Sequence, residues 1–270
     1  MDMMVDRLRV RPGHTGVLAG RDPASTNYGP LDPGVAAELA PAQSERLAIL
    51  QDRLFAGHRR SVLLVVQGVD CAGKGAAIRF VTRGLNPAGT RVVSFRVPSG
   101  EELARDFLWR VHEEVPAVGQ LTIFNRSHYE DVTTVRVRRL TPERAWRLRF
   151  DHINAFERLL GDAGTKVVKI LLHVSQEEQA KRLRERMGDP ASRWRVSADD
   201  IADHERWPAY QTAFSEMLDR TATDQASWYV IPADNWWFRD WAVAEVLIAT
   251  LAAMDPKYPS LPALPDMRAY

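Results

Sequence analysis

The chain has 270 residues, enough for one large domain or two small ones and for a core that needs no covalent staples. With 45% hydrophobic and 26% charged residues it is neither a disordered nor a fibrous sequence, and a formal net charge of +1 excludes a globally basic nucleic-acid binder. The one cysteine, Cys71, excludes a disulfide framework or a multi-cysteine metal site within the chain.

Residues 1–34 are rich in Gly, Pro, Asp, Asn and Ser, as in DPASTNYGPLDPG, which predicts an extended arm. The opening MDMMVDRLRV carries charges where a secretory signal needs its apolar stretch. A first helix is expected over 35–57, where Leu39, Leu47, Leu50, Leu54 and Phe55 keep near-helical spacing. Buried strands are expected at 61–67 (SVLLVVQ), 91–95, 121–125 (LTIFN), 167–173 and 228–231. Helical patterns fill 101–114, 127–139, 142–162, 176–187 and 199–221, and a last helix fits 236–254. Continuous apolar strands alternating with helices imply an α/β sandwich: a parallel five-stranded sheet covered on both faces. No linker divides 35–254, so one domain with a lid-like insertion is expected, followed by a Pro-rich tail over 255–270. Runs such as 62–66 fall far short of the roughly 20 apolar residues that span a bilayer, so a cytoplasmic protein with no membrane partner is expected.

Residues 68–75 read Gly-Val-Asp-Cys-Ala-Gly-Lys-Gly, placing Gly68, Gly73 and Lys74 at the fixed positions of a phosphate-binding G-x-x-x-x-G-K loop between strand and helix. Glycines let the backbone curl so that several N–H groups, those of Gly75 and Ala76 included, point at one anion. Lys74 adds a mobile charge. Gly75 replaces the Ser or Thr that ordinarily holds Mg²⁺ there. A carboxylate inside the cradle, Asp70, would repel a phosphate unless a cation lay between, which makes Asp70 a candidate metal ligand or a group steering the acceptor. Cys71 is best explained as a small loop filler.

The strand at 121–125 runs straight into Asn125, Arg126, Ser127, His128, Tyr129, Glu130 and Asp131. Ligands of open α/β sheets gather beyond the carboxyl ends of strands. Asp131 or Glu130 there can hold Mg²⁺ and Arg126 can neutralise a phosphoryl oxygen; the bland alternative is acidic residues complementing a helix dipole. Further on, Lys181, Arg182, Arg184, Arg186, Arg193 and Arg195 cluster around Gly188-Asp189-Pro190. A charge run of this kind is either a solvated face or a lid, over about 181–199, whose arginines close on phosphates. Arg79, Arg83, Arg96 and Arg110 are candidates for an anion channel, and the 236–241 aromatic cluster is expected to pack the last helix on the core. Arginine outnumbers lysine 31 to 5, a bias that suits phosphate but that genome composition also produces.

The set GVDCAGKG, GLNPAGTRVVSFRVPS (84–99), FLWR (107–110), FNRSHYED (124–131), HINAFE (152–157) and WYVIPAD (228–234) resembles the second polyphosphate kinase family over about residues 35–254. The resemblance implies a P-loop kinase-like α/β/α fold with a helical lid, dependence on Mg²⁺ (or Mn²⁺), and phosphoryl transfer between inorganic polyphosphate and nucleotides. It places Asp70 and Lys74 in the loop motif, Asn125, Arg126 and Asp131 in the second motif, and Arg193 and Arg195 in the lid. Asn125 with Glu130 is similar to the subgroup that phosphorylates AMP as well as ADP. The implied catalytic set is Asp70, Lys74, Arg126, Asp131, Glu130 and Asn125, with Asp70 and Asp131 on the metal. Polyphosphate would lie along Gly68, Gly73, Lys74, Gly75, Ala76, Arg182, Arg186, Arg193 and Arg195. Partners are then polyphosphate and adenine nucleotides, with guanine nucleotides left open, in a homo-oligomer. Two readings compete: an ATP-dependent kinase of small molecules or nucleoside monophosphates, and a nucleotide-binding regulator without turnover.

Overall fold

The computed structural model of the protein describes residues 2–28 and 32–260. Helix α1 (Asp2–Leu8) opens the arm expected to be extended throughout, and Leu8, Val10 and Leu18 are buried against the domain. Arg9 bridges antiparallel to Tyr229, so the arm covers an edge of the sheet. Residues 10–28 carry no helix or strand. Helix α2 (Pro33–Gly57) starts where Asp32 accepts a bond from the Val35 amide (3.0 Å) and Pro33 occupies the first turn. It ends at His58 in the left-handed conformation.

Strand β1 (Ser61–Gln67) is buried at every residue, as a central parallel strand must be. Helix α3 (Lys74–Thr82), β2 (Thr90–Ser94), the short turns α4 (Gly100–Leu103) and α5 (Trp109–His112), and β3 (Leu121–Asn125) follow. The helix expected at 101–114 is thus two separate turns, divided by exposed Asp106, whose carboxylate accepts from the Leu108 amide (2.9 Å) in a local turn that competes with helix. The pattern at 127–139 resolves into a 3₁₀ turn, His128–Asp131, and α6 (Thr134–Val137). Helix α7 (Glu143–Asp162) buries Trp146, Phe150, Ile153, Phe156 and Leu160, one stripe at three- and four-residue spacing.

Strand β4 (Thr165–His173) and α8 (Gln176–Gly188) come next. The span expected as one helix at 199–221 is α9 (Ala198–Glu205) and α10 (Trp207–Thr221), with Pro208 in the first turn of α10, where proline is tolerated. Strand β5 (Ala226–Pro232) and α11 (Trp236–Met254) complete the order. Residues 255–260 carry no regular structure; the rest of the expected tail, 261–270, lies outside the described residues, as do 29–31 of the arm.

All strand pairs are parallel, in the order β2-β3-β1-β4-β5. The connection from β1 skips over β3 to reach β2, while later strands add on the other side of β1. The carboxyl ends of β1 and β3 therefore border the switch point, where α/β sheets bind ligands. No helix among the described residues is long and apolar enough to cross a membrane.

Candidate active site

The loop after β1 is shaped by backbone that ordinary residues avoid. Gly73 has φ +99° and leads into α3, and the Arg239 guanidinium fills the space that a Cβ at this position would need. Cys71 adopts φ +65°, and Arg126, at the matching place after β3, adopts φ +62°. Non-glycine residues seldom hold this conformation, and it concentrates at ligand sites where surrounding structure enforces it. Cys71 is buried, and its thiol is pushed up in pKa by burial, which suits the filler expected and not a reactive thiolate.

Lys74 is buried and turns its ammonium back over the loop, donating to the carbonyls of Gly68 (2.7 Å) and Val69 (3.0 Å). Burial lowers its pKa and the Asp70 carboxylate, 3.9 Å away, opposes that. Arg126 reaches across from β3 and donates to the same Asp70 oxygen at 2.5 Å. Its other arm stands 3.6 Å from Glu130. Burial alone would push Asp70 up, but Lys74 and Arg126 outweigh it and hold the carboxyl well below the usual range. Arg126 is in turn held firmly protonated: burial is outweighed by Glu130 and Asp70. Asp70 and Arg126, 56 residues apart in the chain, thus form one charged unit with Lys74, because β1 and β3 are neighbours.

Asp131 lies in a second arginine pair. Its Oδ1 accepts from Arg149 of α7 (2.9 Å), and Arg110 of α5 stands 3.7 Å from Oδ2. Oδ2 is buried with no hydrogen-bond partner. Burial raises the Asp131 pKa despite both arginines. Asp70 and Asp131 thus pair with different cations, and Arg126 links the two sides by reaching both Asp70 and Glu130, the neighbour of Asp131 in the chain. Asn125 donates to Ser94 (3.4 Å), leaving its buried amide oxygen without a partner at the same strand end. Gln67 stitches the two strand ends: with its amide oriented to satisfy both neighbours, its nitrogen donates to Glu130 (3.0 Å) and its oxygen accepts from Ser127.

The expected phosphate-binding arginines separate into two groups. Arg182 does not present its charge to an open face. It donates to the carbonyls of Cys71 (3.2 Å), Ala72 (3.3 Å), Ala233 (2.7 Å) and Asp234 (2.7 Å), and to Glu178 (2.9 Å). All five donors of a guanidinium are engaged in this way, so Arg182 braces the loop against the β5–α11 turn. Arg186, Arg193 and Arg195 have no carboxylate partner among the described residues, and Arg193 and Arg195 are exposed. Of the candidate channel, Arg110 lies against Asp131, and Arg79 lies beside Gly75.

Three contributors have no local sequence signal. Arg239, paired with Asp240 at 2.8 Å, packs under Gly73. Arg149 sits mid-helix. Asp200, at the start of α9, is pushed up in pKa by burial and by the Asp70 carboxylate it faces. Helix α9 is clasped to α6 by Arg138, which donates to both oxygens of Asp203 (3.1 and 2.6 Å). Only the fold brings Arg239 and Asp200 to the loop and Arg149 to Asp131. Among the described residues no group of three or more His, Cys, Asp or Glu side chains stands ready to hold a metal. The donor set fits a hard cation that keeps several waters and takes one or two protein carboxylates, because Asp131 has a free buried oxygen and Asp70 stays ionised.

The family described as Polyphosphate kinase 2 (PPK2) matches residues 34–259. An AMP/ADP-polyphosphate phosphotransferase of Meiothermus ruber is 44% identical over 253 residues, covering 94% of this chain and 95% of that protein. An ADP-polyphosphate phosphotransferase of Rhodopseudomonas palustris is 38% identical over 82% of this chain and 81% of its own length. The crystal structure of polyphosphate kinase 2 from Arthrobacter aurescens TC1 superposes with a TM-score of 0.93 at 36% identity, covering 98% of this chain and 95% of that one.

Proposed function

The chain belongs to the polyphosphate kinase 2 family, and from that premise we propose that it moves phosphoryl groups between inorganic polyphosphate and the nucleotides AMP and ADP. The observation that carries this is the convergence of Lys74, Asp70 and Arg126 at the carboxyl ends of β1 and β3. Relatives named for transfer to AMP and ADP support the acceptor class.

Donor and acceptor are both polyanions, so the site must offset their mutual repulsion before transfer. The loop amides and Lys74 bind a phosphate of one of them. Arg126 stabilises the equatorial oxygens of the phosphoryl group in flight. An oxygen of the acceptor's terminal phosphate attacks the terminal phosphorus of the chain in line, and the bond to the shortened chain breaks. The chemistry needs positioning and charge stabilisation and no covalent enzyme intermediate. Asp70 and Asp131 would hold Mg²⁺ or Mn²⁺, with Glu130 and Asn125 ordering the strand end beside it. Bound there, the cation neutralises phosphate charge. The segment 181–199 is the lid in this reading, with Arg186, Arg193 and Arg195 as the charges it brings, and Arg182 as the brace at its root.

The experiment supplies long-chain polyphosphate with AMP, ADP, GMP or GDP and no other donor. Formation of ADP and ATP is expected. No product from any acceptor, with ATP-dependent phosphorylation of a small molecule instead, would overturn the reading in favour of a conventional kinase. Light scattering of the same preparation tests the expected homo-oligomer.

A further inference from the structure

The turn that carries Glu130 and Asp131 rests on a buried ion pair. Lys169, in the middle of β4, is fully buried, and Glu157 of α7 is 2% exposed. The Lys169 ammonium donates to Glu157 Oε2 (2.6 Å), to the Tyr129 hydroxyl (2.9 Å) and to the Thr221 carbonyl (2.7 Å). The Tyr129 hydroxyl donates onward to Glu157 Oε1 (2.7 Å), and His128 Nε2 lies 3.3 Å from that oxygen. Trp228 closes the cluster: its ring packs edge-on against Tyr129, and its indole N–H donates to Thr221 Oγ1 (2.8 Å).

Stability is a weak reason for such a pair. Burial penalises both charges, and well-packed apolar residues of similar size often serve a core equally well. Position is the better reason. Along the 3₁₀ turn, His128 and Tyr129 reach Glu157 in the core, whereas Glu130 and Asp131 reach different partners, Arg126 and Arg149. Two inward bonds to one carboxylate leave a four-residue turn little freedom. The carboxylate itself is held by an ammonium on β4, the strand on the other side of β1 from β3.

We infer that Glu157, Lys169 and Tyr129 are positioning residues: by gripping the inward side of the His128–Asp131 turn from α7 and β4, they set where Glu130 and Asp131 present their carboxylates. The role assigned to those carboxylates rests on the proposed function. The smallest probe is Tyr129→Phe, which removes one hydroxyl and keeps the packing. Expected is a fall in kcat of about tenfold with the KM for AMP little changed, and a rise of severalfold in the Mg²⁺ concentration giving half-maximal rate. Glu157→Gln should act in the same direction. Phe150→Leu, a packing change on the same helix at a residue outside the hydrogen-bonded network, should lower Tm and leave kcat of the folded protein intact. If Tyr129→Phe and Glu157→Gln instead behave like Phe150→Leu, losing Tm with kcat and Mg²⁺ dependence unchanged, the network is only core and the inference is overturned. Calorimetric titration of Mg²⁺ in the presence of ADP keeps the two readings apart. A wild type inactive with polyphosphate sinks the proposed function, while weaker Mg²⁺ binding in Tyr129→Phe still supports the positioning role and unchanged binding rejects it.

Discussion

Asp70 and Asp131 are the same residue type, beyond the ends of neighbouring parallel strands, each beside two cationic side chains, yet their acidities move in opposite directions. The difference lies in how the cations are placed. Lys74 and Arg126 converge on one oxygen of Asp70, at 3.9 and 2.5 Å. Around Asp131 the arginines are split: Arg149 takes one oxygen at 2.9 Å, and Arg110 stays 3.7 Å from the other. Burial pushes both carboxyls up, and Asp131 has the Glu130 carboxylate as a further neighbour that raises it. Two cations do not guarantee an acidic carboxylate; where they are split between two oxygens, burial prevails.

Breaking the Asp70 side of this comparison should have the largest effect. Asp70→Asn removes the negative charge shared by Lys74 and Arg126, and a loss of about a hundredfold or more in kcat is expected from steady-state assay with polyphosphate. Lys74→Ala should cost at least about tenfold. Full activity in either would remove that residue from the phosphate site. Arg182→Lys is next. A single ammonium cannot serve four carbonyls of two loops, so a rate loss of about tenfold is expected with the nucleotide KM raised as well. Retained kinetics would show that the loop holds its shape without the brace.

The Asp131 side is sharpened by pH. Because its folded pKa is raised, the folded protein binds more protons than the unfolded chain between the ordinary aspartate value and the raised one, so this group's contribution to stability falls as pH rises through that window. Asp70, with its pKa depressed, does the reverse: its contribution is present above the ordinary aspartate value and is lost as pH falls toward the folded one. Thermal denaturation of Asp131→Asn against wild type should therefore show a difference that changes in the variant's favour as pH rises from the ordinary aspartate value of 3.8 toward neutrality. The Asp70→Asn deficit should be full at pH 7.5 and shrink below pH 4. Parallel curves for both variants would contradict the opposed environments. The smallest effect is expected at Cys71: Cys71→Ala should leave kcat within about twofold, since a buried filler with a raised pKa supplies no nucleophile.

Much of this molecule is written in local patterns. The strands are apolar runs, because a parallel sheet is covered on both faces, and the phosphate loop declares itself by glycines at fixed spacing between strand and helix. Both acidic positions follow a strand end and were legible for that reason. The breaks near residues 106 and 206 and the helix in the N-terminal arm were not, since short helical turns and a docked arm depend on tertiary packing more than on periodicity.

Partnerships were decided only by the fold. The residue types at 70, 74, 126 and 131 are plain in the chain, but that Asp70 binds Arg126, that Arg182 braces carbonyls, and that Arg239 and Arg149 reach the site at all required β1 to lie between β3 and β4. A sequence determines which groups carry charge and which segments are buried, because those follow from side-chain chemistry and spacing. Which charges face each other depends on distances across strands and helices far apart in the chain, and electrostatic energy is set by those distances and by burial.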